Sequence, residues 1–410
     1  MDNKLIITRQ ENKIISAFFE GKDMVQVSLN SSKQEAILGN IYLGKVKNIV
    51  KNINAAFVEI TDGKMCYYSL EENKYPILAG SSFNPDDRKL REVKLKIGDE
   101  LLVQVSKEDV KTKAPVVSSN INFTGKYAAL TYGKLTYGVS SKITEERERS
   151  RLKSIAKKYE QRDYGFIIRT NAAFVAVEKI ESEIQKLIEA YENIRKYGIH
   201  KSRFSLIYKT PPNYICDIRD GYADNVEEFV TDDSELYDNI KEYLQMYQPE
   251  DLEKLRFYEE ASIKLTSLYG IIDKLSDAVR PMVWLKSGGS LVIQPTEALT
   301  VIDVNTGKAV AGKKKVQETF LKVNREAAKE IARQIRLRNL SGIIIIDFID
   351  MELQKDNELL MNELEEYLKK DPIKTTLVDM TALGLVEVTR KKVRKPLHEQ
   401  LLDVQMTNKS

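Results

Sequence analysis

Apolar and polar positions change rhythm along this chain. Residues 4 to 30 alternate with a period of two. Leu5-Ile6-Ile7, Ile14-Ile15-Ser16-Ala17-Phe18 and Val25-Gln26-Val27 read as short strands parted by turns such as Glu20-Gly21-Lys22-Asp23. The rhythm continues to residue 120, with strands predicted at Ile41 to Val50, Ala55 to Ile60, Met65 to Leu70, Leu101 to Val105 and Pro115 to Ser119. Five short strands with glycine-containing turns predict a small barrel. A long polar loop, Glu71 to Asp99, separates the third from the fourth, and loops of that length are usually functional.

Further on the period lengthens. Residues 143 to 160 are helical and charged, and Tyr164 to Thr170 reads as a buried strand ending in polar residues. A helix of about 20 residues starts at Val177, with Ile180, Ile184, Leu187 and Ile188 on its apolar side. Residues 202 to 290 mix strand and helix, including a polar helix from Ser234 to Met246. The final region alternates strand and helix, as an α/β layer does. Val316, Phe320, Val323, Ala327, Ile331 and Ile335 recur at three- and four-residue steps, making one face of a helix from Val316 to Arg338.

Two strands of this region each close on an aspartate. One is Ala298-Leu299-Thr300-Val301-Ile302-Asp303-Val304-Asn305, the other Gly342-Ile343-Ile344-Ile345-Ile346-Asp347-Phe348-Ile349-Asp350. A β-branched run such as Ile343 to Ile346 predicts burial on both faces of a sheet. An aspartate ending such a run sits at the carboxyl edge, where open sheets bind ligands. Two carboxylates on neighbouring strands suit a hard divalent cation, and Mg2+ favours one or two carboxylates plus substrate phosphate oxygens. That combination points to phosphodiester chemistry. The alternative is that both aspartates merely cap helices following buried strands. On a period of two, Asp350 falls on a different side from Asp347 and is assigned a structural role.

Composition narrows the class. A chain of 410 residues exceeds one core and predicts two to four domains, and 42% hydrophobic with 30% charged residues is ordinary for a soluble protein. No run of ~18 apolar residues predicts a membrane span, and Met1-Asp2-Asn3-Lys4-Leu5-Ile6 lacks a signal-peptide pattern, so the expectation is cytoplasmic. Cys66 and Cys216 form no C-x-x-C pair, and no structural zinc is expected. The net charge of +3 does not by itself indicate nucleic acid. Three basic clusters do more: Lys313 to Lys315; Arg333, Arg336 and Arg338; and Lys391, Lys392, Arg394 and Lys395. Each alone reads as a solvated face, but together near the two aspartates they favour a polyanion.

At this point the motifs are specific. Gly288 to Ile293 with Thr296 to Asn305, and Glu330 to Gly342 running into Ile343 to Met351, closely resemble the catalytic core of the ribonuclease E/G family. Gly44-Lys45-Val46 and Ala55-Ala56-Phe57-Val58 resemble its S1 domain, and Gly165 to Thr170 its 5′-end sensor. The resemblance implies an α+β multidomain fold. An RNase H-like domain (1–35 and 201–279) would carry an inserted S1 (OB-fold) barrel (36–120) and a 5′-sensor (121–200). An α/β DNase I-like catalytic subdomain (280–400) and a tail (401–410) would follow. Asp303 and Asp347 would bind Mg2+, with Mn2+ as a substitute, and Asn305 would position a ligand or the scissile phosphate. Phe57 and Tyr67 would stack on bases of single-stranded RNA, with Lys107 and Lys113 on phosphate or base. Gly125, Arg169, Thr170 and Lys374 would bind a 5′-monophosphate. Read without the family, Phe57 is a barrel-core residue and Arg169 ends a strand in a surface ion pair.

The chain departs from the family in places. Tyr67 stands where phenylalanine is usual, which keeps the aromatic face. Lys374 stands where a second arginine is usual, which keeps charge and loses the bidentate fork. No C-P-x-C zinc link follows the catalytic region, so the zinc-linked dimer and tetramer are not expected. The only histidines, His200 and His398, lie outside these motifs, which disfavours a histidine-pair mechanism through a cyclic phosphate. The implied activity is a Mg2+-dependent endoribonuclease of RNA maturation and decay. A non-catalytic RNA-binding protein and a DNA nuclease are the rival readings.

Overall fold

The computed structural model describes residues 3–31, 37–81, 90–108, 114–160, 162–220, 226–260, 262–307 and 316–406. Lys113 and the Lys313 to Lys315 cluster lie outside them. The chain divides into two compact units, residues 1–34 with 222–410, and residues 35–221.

In the unit of residues 35–221, alternation closes a barrel. Strand Ile41–Val50 pairs with Ala55–Thr61 on one side and Glu100–Lys107 on the other. Lys64–Ser69 and Val116–Ser118 complete a ring of five strands. Val46, Val58, Cys66, Tyr68, Val103 and Val117 fill its interior. The packing is tight at Gly44, where a Cβ would stand 2.7 Å from a Val58 methyl. The expected polar loop, Glu71 to Asp99, contains a short strand, Ile77–Leu78, because this apolar pair finds partners at Leu101 and Leu102.

The same unit holds a four-stranded sheet ordered Asn122–Thr124, Ala128–Tyr132, Tyr164–Ile168, Tyr137–Val139. Helices Glu146–Lys157 and Val177–Tyr197 bury Leu152, Ile155, Ile180 and Ile184 in one core with Leu130, Phe166 and Ile168.

In the unit of residues 1–34 and 222–410, the N-terminal strands Asn3–Gln10, Lys13–Glu20 and Asp23–Ser31 form an antiparallel meander. The first of them pairs in parallel with Glu228–Thr231, so chain segments more than 200 residues apart complete one sheet.

The second sheet of this unit has six strands, ordered Met282–Trp284, Ser290–Pro295, Leu299–Asn305, Gly342–Asp347, Leu385–Arg390, Thr375–Met380. Helices Val316–Leu337 and Gln354–Lys369 pack on the same face of it. The isoleucine run is therefore buried on one face and not two: Ile344 and Ile346 are sealed, whereas Ile343 is 49% exposed. Its period of two survives because both covering helices share one core with Leu291, Ile302, Val304 and Val388.

Candidate active site

The outer face of this sheet carries the two aspartates. Leu299–Asn305 and Gly342–Asp347 run parallel, and their register sets Asp303 directly beside Asp347 at the strands' carboxyl ends. Neighbouring strands lie about 4.8 Å apart, so the two carboxylates share one patch of surface. Both point away from the helices, since Ile302, Val304 and Ile346 point into the core. Neither caps a helix. Asn305, two residues beyond Asp303, donates from Nδ2 to Asp303 Oδ2 at 2.7 Å.

Partial desolvation, then the like charges of Asp303 and Asp350, push the Asp347 carboxyl above the usual range. Asp350 lies close enough for its charge to act on Asp347. The strand ends at Asp347, so alternation does not reach residue 350. The turn beyond is held by Asn324, a fully buried side chain of the covering helix. Its Nδ2 donates to the Ile349 carbonyl at 2.8 Å, and its Oδ1 accepts from the Ile349 amide at 3.1 Å.

A second clamp holds the Asn305 end. The Ser287 to Gly289 turn packs against it so closely that a Cβ on Gly289 would sit 2.8 Å from the Asn305 carbonyl oxygen. A Cβ on Gly307, at φ +54°, would lie 2.4 Å from the Gly288 oxygen. Glu326 Oε1 and Oε2 accept from the Lys286 and Ser287 amides at 2.6 and 3.0 Å and tie this turn to the helix.

The barrel carries a second group. Its register aligns Phe57 with Tyr67, Tyr67 with Val116, and Val116 with Lys107, in one row across four strands. Phe57 and Tyr67 are half-buried on the outside and meet edge to face, ring centres 6.4 Å apart, while Lys107 is exposed. Phe57 is therefore no interior barrel residue; Ala56 and Val58 face inward in its place.

Arg169 and Thr170 follow the strand Tyr164–Ile168. Arg169 Nη1 donates to the Gly125 carbonyl at 2.5 Å and pairs with Asp220 Oδ1 at 3.0 Å. The Thr170 hydroxyl lies 3.0 Å from that of Ser140. Gly125 is pressed on the Glu183 carboxylate, where a Cβ would come within 2.3 Å. That carboxylate accepts the amides of Lys126, Tyr127 and Ala128 at 2.7–2.9 Å. Gly125, Arg169 and Thr170 thus form one cluster. Lys374, exposed just before the strand Thr375–Met380, belongs to the other unit. Asp220 escaped the sequence reading; nothing near Arg219-Asp220 signalled a bond to Arg169.

Two arginines of one basic cluster lie off any binding face. Arg336 and Arg338 are buried, with Arg336 Nη1 on Glu20 at 3.3 Å and Arg338 Nε on Gln334 Oε1 at 2.5 Å. Burial, then the Arg333 charge, pushes Arg338 down to about 10. Lys391 and Lys392 are exposed. Among the described residues no helix is long and apolar enough to cross a membrane, and no group of three or more His, Cys, Asp or Glu is placed to hold a metal.

Residues 122–393 match the sequence profile of the Ribonuclease E/G family. Ribonuclease G of Salmonella typhimurium (strain SL1344) and of Escherichia coli (strain K12) are each 32% identical over 398 residues, covering 96% of this chain and 80% of the relative. Ribonuclease E of Synechocystis sp. is 33% identical over 406 residues, covering 97% of this chain and 58% of the relative.

Proposed function

The chain belongs to the ribonuclease E/G family, and on that premise we propose that it is a Mg2+-dependent endoribonuclease. Its substrate is single-stranded, A/U-rich RNA, cut to 5′-phosphate and 3′-hydroxyl ends in rRNA and tRNA maturation and mRNA decay. The observation that carries the reading is the side-by-side register of Asp303 and Asp347, with Asn305 bonded to Asp303.

The donor set fits Mg2+. Two carboxylates are fixed on adjacent strands, and the repulsion that adds to desolvation in raising Asp347 is what a divalent cation relieves. Asp303 and Asp347 would hold the ion, and Mn2+ suits the same oxygens. When bound, the ion supplies a more acidic water and offsets charge growing on the phosphoryl oxygens. Asn305 fixes the orientation of the Asp303 carboxylate, and Asn324 fixes the turn that carries Asp350. Displacement of the 3′ oxygen accounts for the proposed ends.

The remaining residues bind. Phe57 and Tyr67 offer ring faces to bases, and Lys107 and Lys113 offer charge to phosphates. Arg169, Thr170 and Gly125 would take a 5′-monophosphate that stimulates cleavage. In this reading the sheet built on the N-terminal strands is the RNase H-like domain, the barrel the S1 domain and the six-stranded sheet with its helices the DNase I-like domain, in a cytoplasmic enzyme.

The test is cleavage of a short A/U-rich RNA by native protein and Asp347→Asn, with Mg2+ or EDTA, on 5′-monophosphate and 5′-hydroxyl ends. Mg2+-dependent cutting that the variant loses is expected, faster on the monophosphate. Tight binding with no cutting across several RNAs and metals would replace this reading with a non-catalytic RNA-binding protein.

A further inference from the structure

Trp284 is the only tryptophan of the chain, and it is 70% exposed on the edge strand Met282–Trp284. Indoles normally bury most of their large apolar area, so an ordered strand that presents one to water calls for a ligand. Val283 packs against the core, so alternation turns Met282 and Trp284 to the face that carries the aspartates.

Register fixes the distance. Met282 faces Val292, Val292 faces Asp303, and Asp303 lies beside Asp347, in one row across the sheet. One step along, Trp284 faces Ser290 and Ser290 faces Asn305. Trp284 and Asn305 are therefore two strand spacings apart, about 10 Å. The residue paired with both is the small Ser290. The indole also borders a groove of about 720 Å³ lined in part by Met24, Pro281 and Leu337, where Arg280 pairs with Asp277 at 3.0 Å and Arg333 with Glu330 at 2.5 Å.

We propose that Trp284 is a stacking platform for a nucleobase of the RNA strand that crosses the Asp303–Asp347 pair. This rests on the endoribonuclease reading and adds a substrate subsite to it. An indole face accepts any base. The nucleotide stacked on Trp284 adjoins the one whose phosphate meets the carboxylates, so Trp284 helps place the scissile bond.

The lone indole makes the test direct. Full-length Asp347→Asn protein is titrated in EDTA with a short 5′-hydroxyl A/U-rich RNA. Tryptophan emission is followed beside the anisotropy of a 3′-labelled copy. Emission is expected to quench with the same midpoint as the anisotropy. In steady-state cleavage, Trp284→Ala should raise KM roughly 5- to 150-fold at little change in kcat, the equivalent of ~1–3 kcal/mol of stacking. Trp284→Phe should recover most of the loss, since a ring face remains. The proposal is overturned if anisotropy saturates while emission stays still, or if Trp284→Ala leaves KM unchanged. Emission that moves with protein concentration and not with RNA would also overturn it, assigning the face to a second copy. Metal-dependent cutting with a silent indole would sink only the stacking role, whereas no cutting by native protein would sink the endoribonuclease reading beneath it.

Discussion

Phe57→Leu tests the barrel row most cleanly. The substitution keeps bulk and removes the aromatic face. Base stacking is worth ~1–3 kcal/mol, so single-stranded RNA should bind roughly 5- to 150-fold more weakly. Tyr67→Leu should act alike. The two rings meet at 83° with centres 6.4 Å apart, so a base lying on one ring touches the edge of the other. They serve overlapping parts of the ligand, and the double variant should lose less than the product of the single losses. Stability should change little, because Phe57 is half-buried outside the barrel and forfeits mainly an edge-to-face contact of about 0.5–1.5 kcal/mol. The assay is anisotropy of a labelled single-stranded RNA in EDTA, with urea unfolding of the same samples. Unchanged affinity together with a stability loss of ~3 kcal/mol would refute the argument, since that is the signature of a core phenylalanine.

Other perturbations follow from the same structure. Lys107→Met should lower the slope of log affinity against log salt by ~0.7, one single-strand phosphate contact, and an unchanged slope would remove Lys107 from the interface. Asp371→Ala strands Arg390, which donates to Asp371 at 2.7 Å with both side chains 2% exposed; ~3–5 kcal/mol should be lost in urea unfolding, much of it regained by adding Arg390→Met. A loss below ~1 kcal/mol would contradict the burial of that pair. The Asp163 carboxyl is raised by desolvation, against the pull of the Tyr191 hydroxyl at 2.5 Å. A raised acid is equally protonated folded and unfolded at low pH and costs stability once the unfolded chain ionises, above about pH 4. Stability of native protein relative to Asp163→Asn should therefore fall as pH rises from about 4 toward 7, and a difference that is flat or rises would reverse the sign.

Much of the local structure was legible in the residues themselves. Strand Ile41–Val50 falls where its alternation predicted, and helix Val316–Leu337 ends within a residue of the predicted limit. Periodicity reports which side of an element is apolar, a property of near neighbours. It does not report how many layers will cover that element, so the run Ile343 to Ile346 was read as doubly buried while both helices went to one face. The arginines of the Glu330 to Gly342 motif read as a basic surface, yet the fold buries Arg336 and Arg338. Burial of a charge depends on partners such as Glu20, distant in sequence.

The chemistry divides in the same way. Residue type and strand-end position singled out Asp303 and Asp347 before any fold was known, and the family resemblance added Asn305. Their alignment was decided by pairing between strands about forty residues apart, and the row from Phe57 to Lys107 by pairing among four barrel strands. Asp220 against Arg169, and Trp284 in one row with Ser290 and Asn305, were decided likewise. Sequence carries the local rules of period, turn and residue chemistry, because those act over a few bonds. Register and layering are fixed only when distant segments pack, and that long-range packing gathers separate side chains into sites.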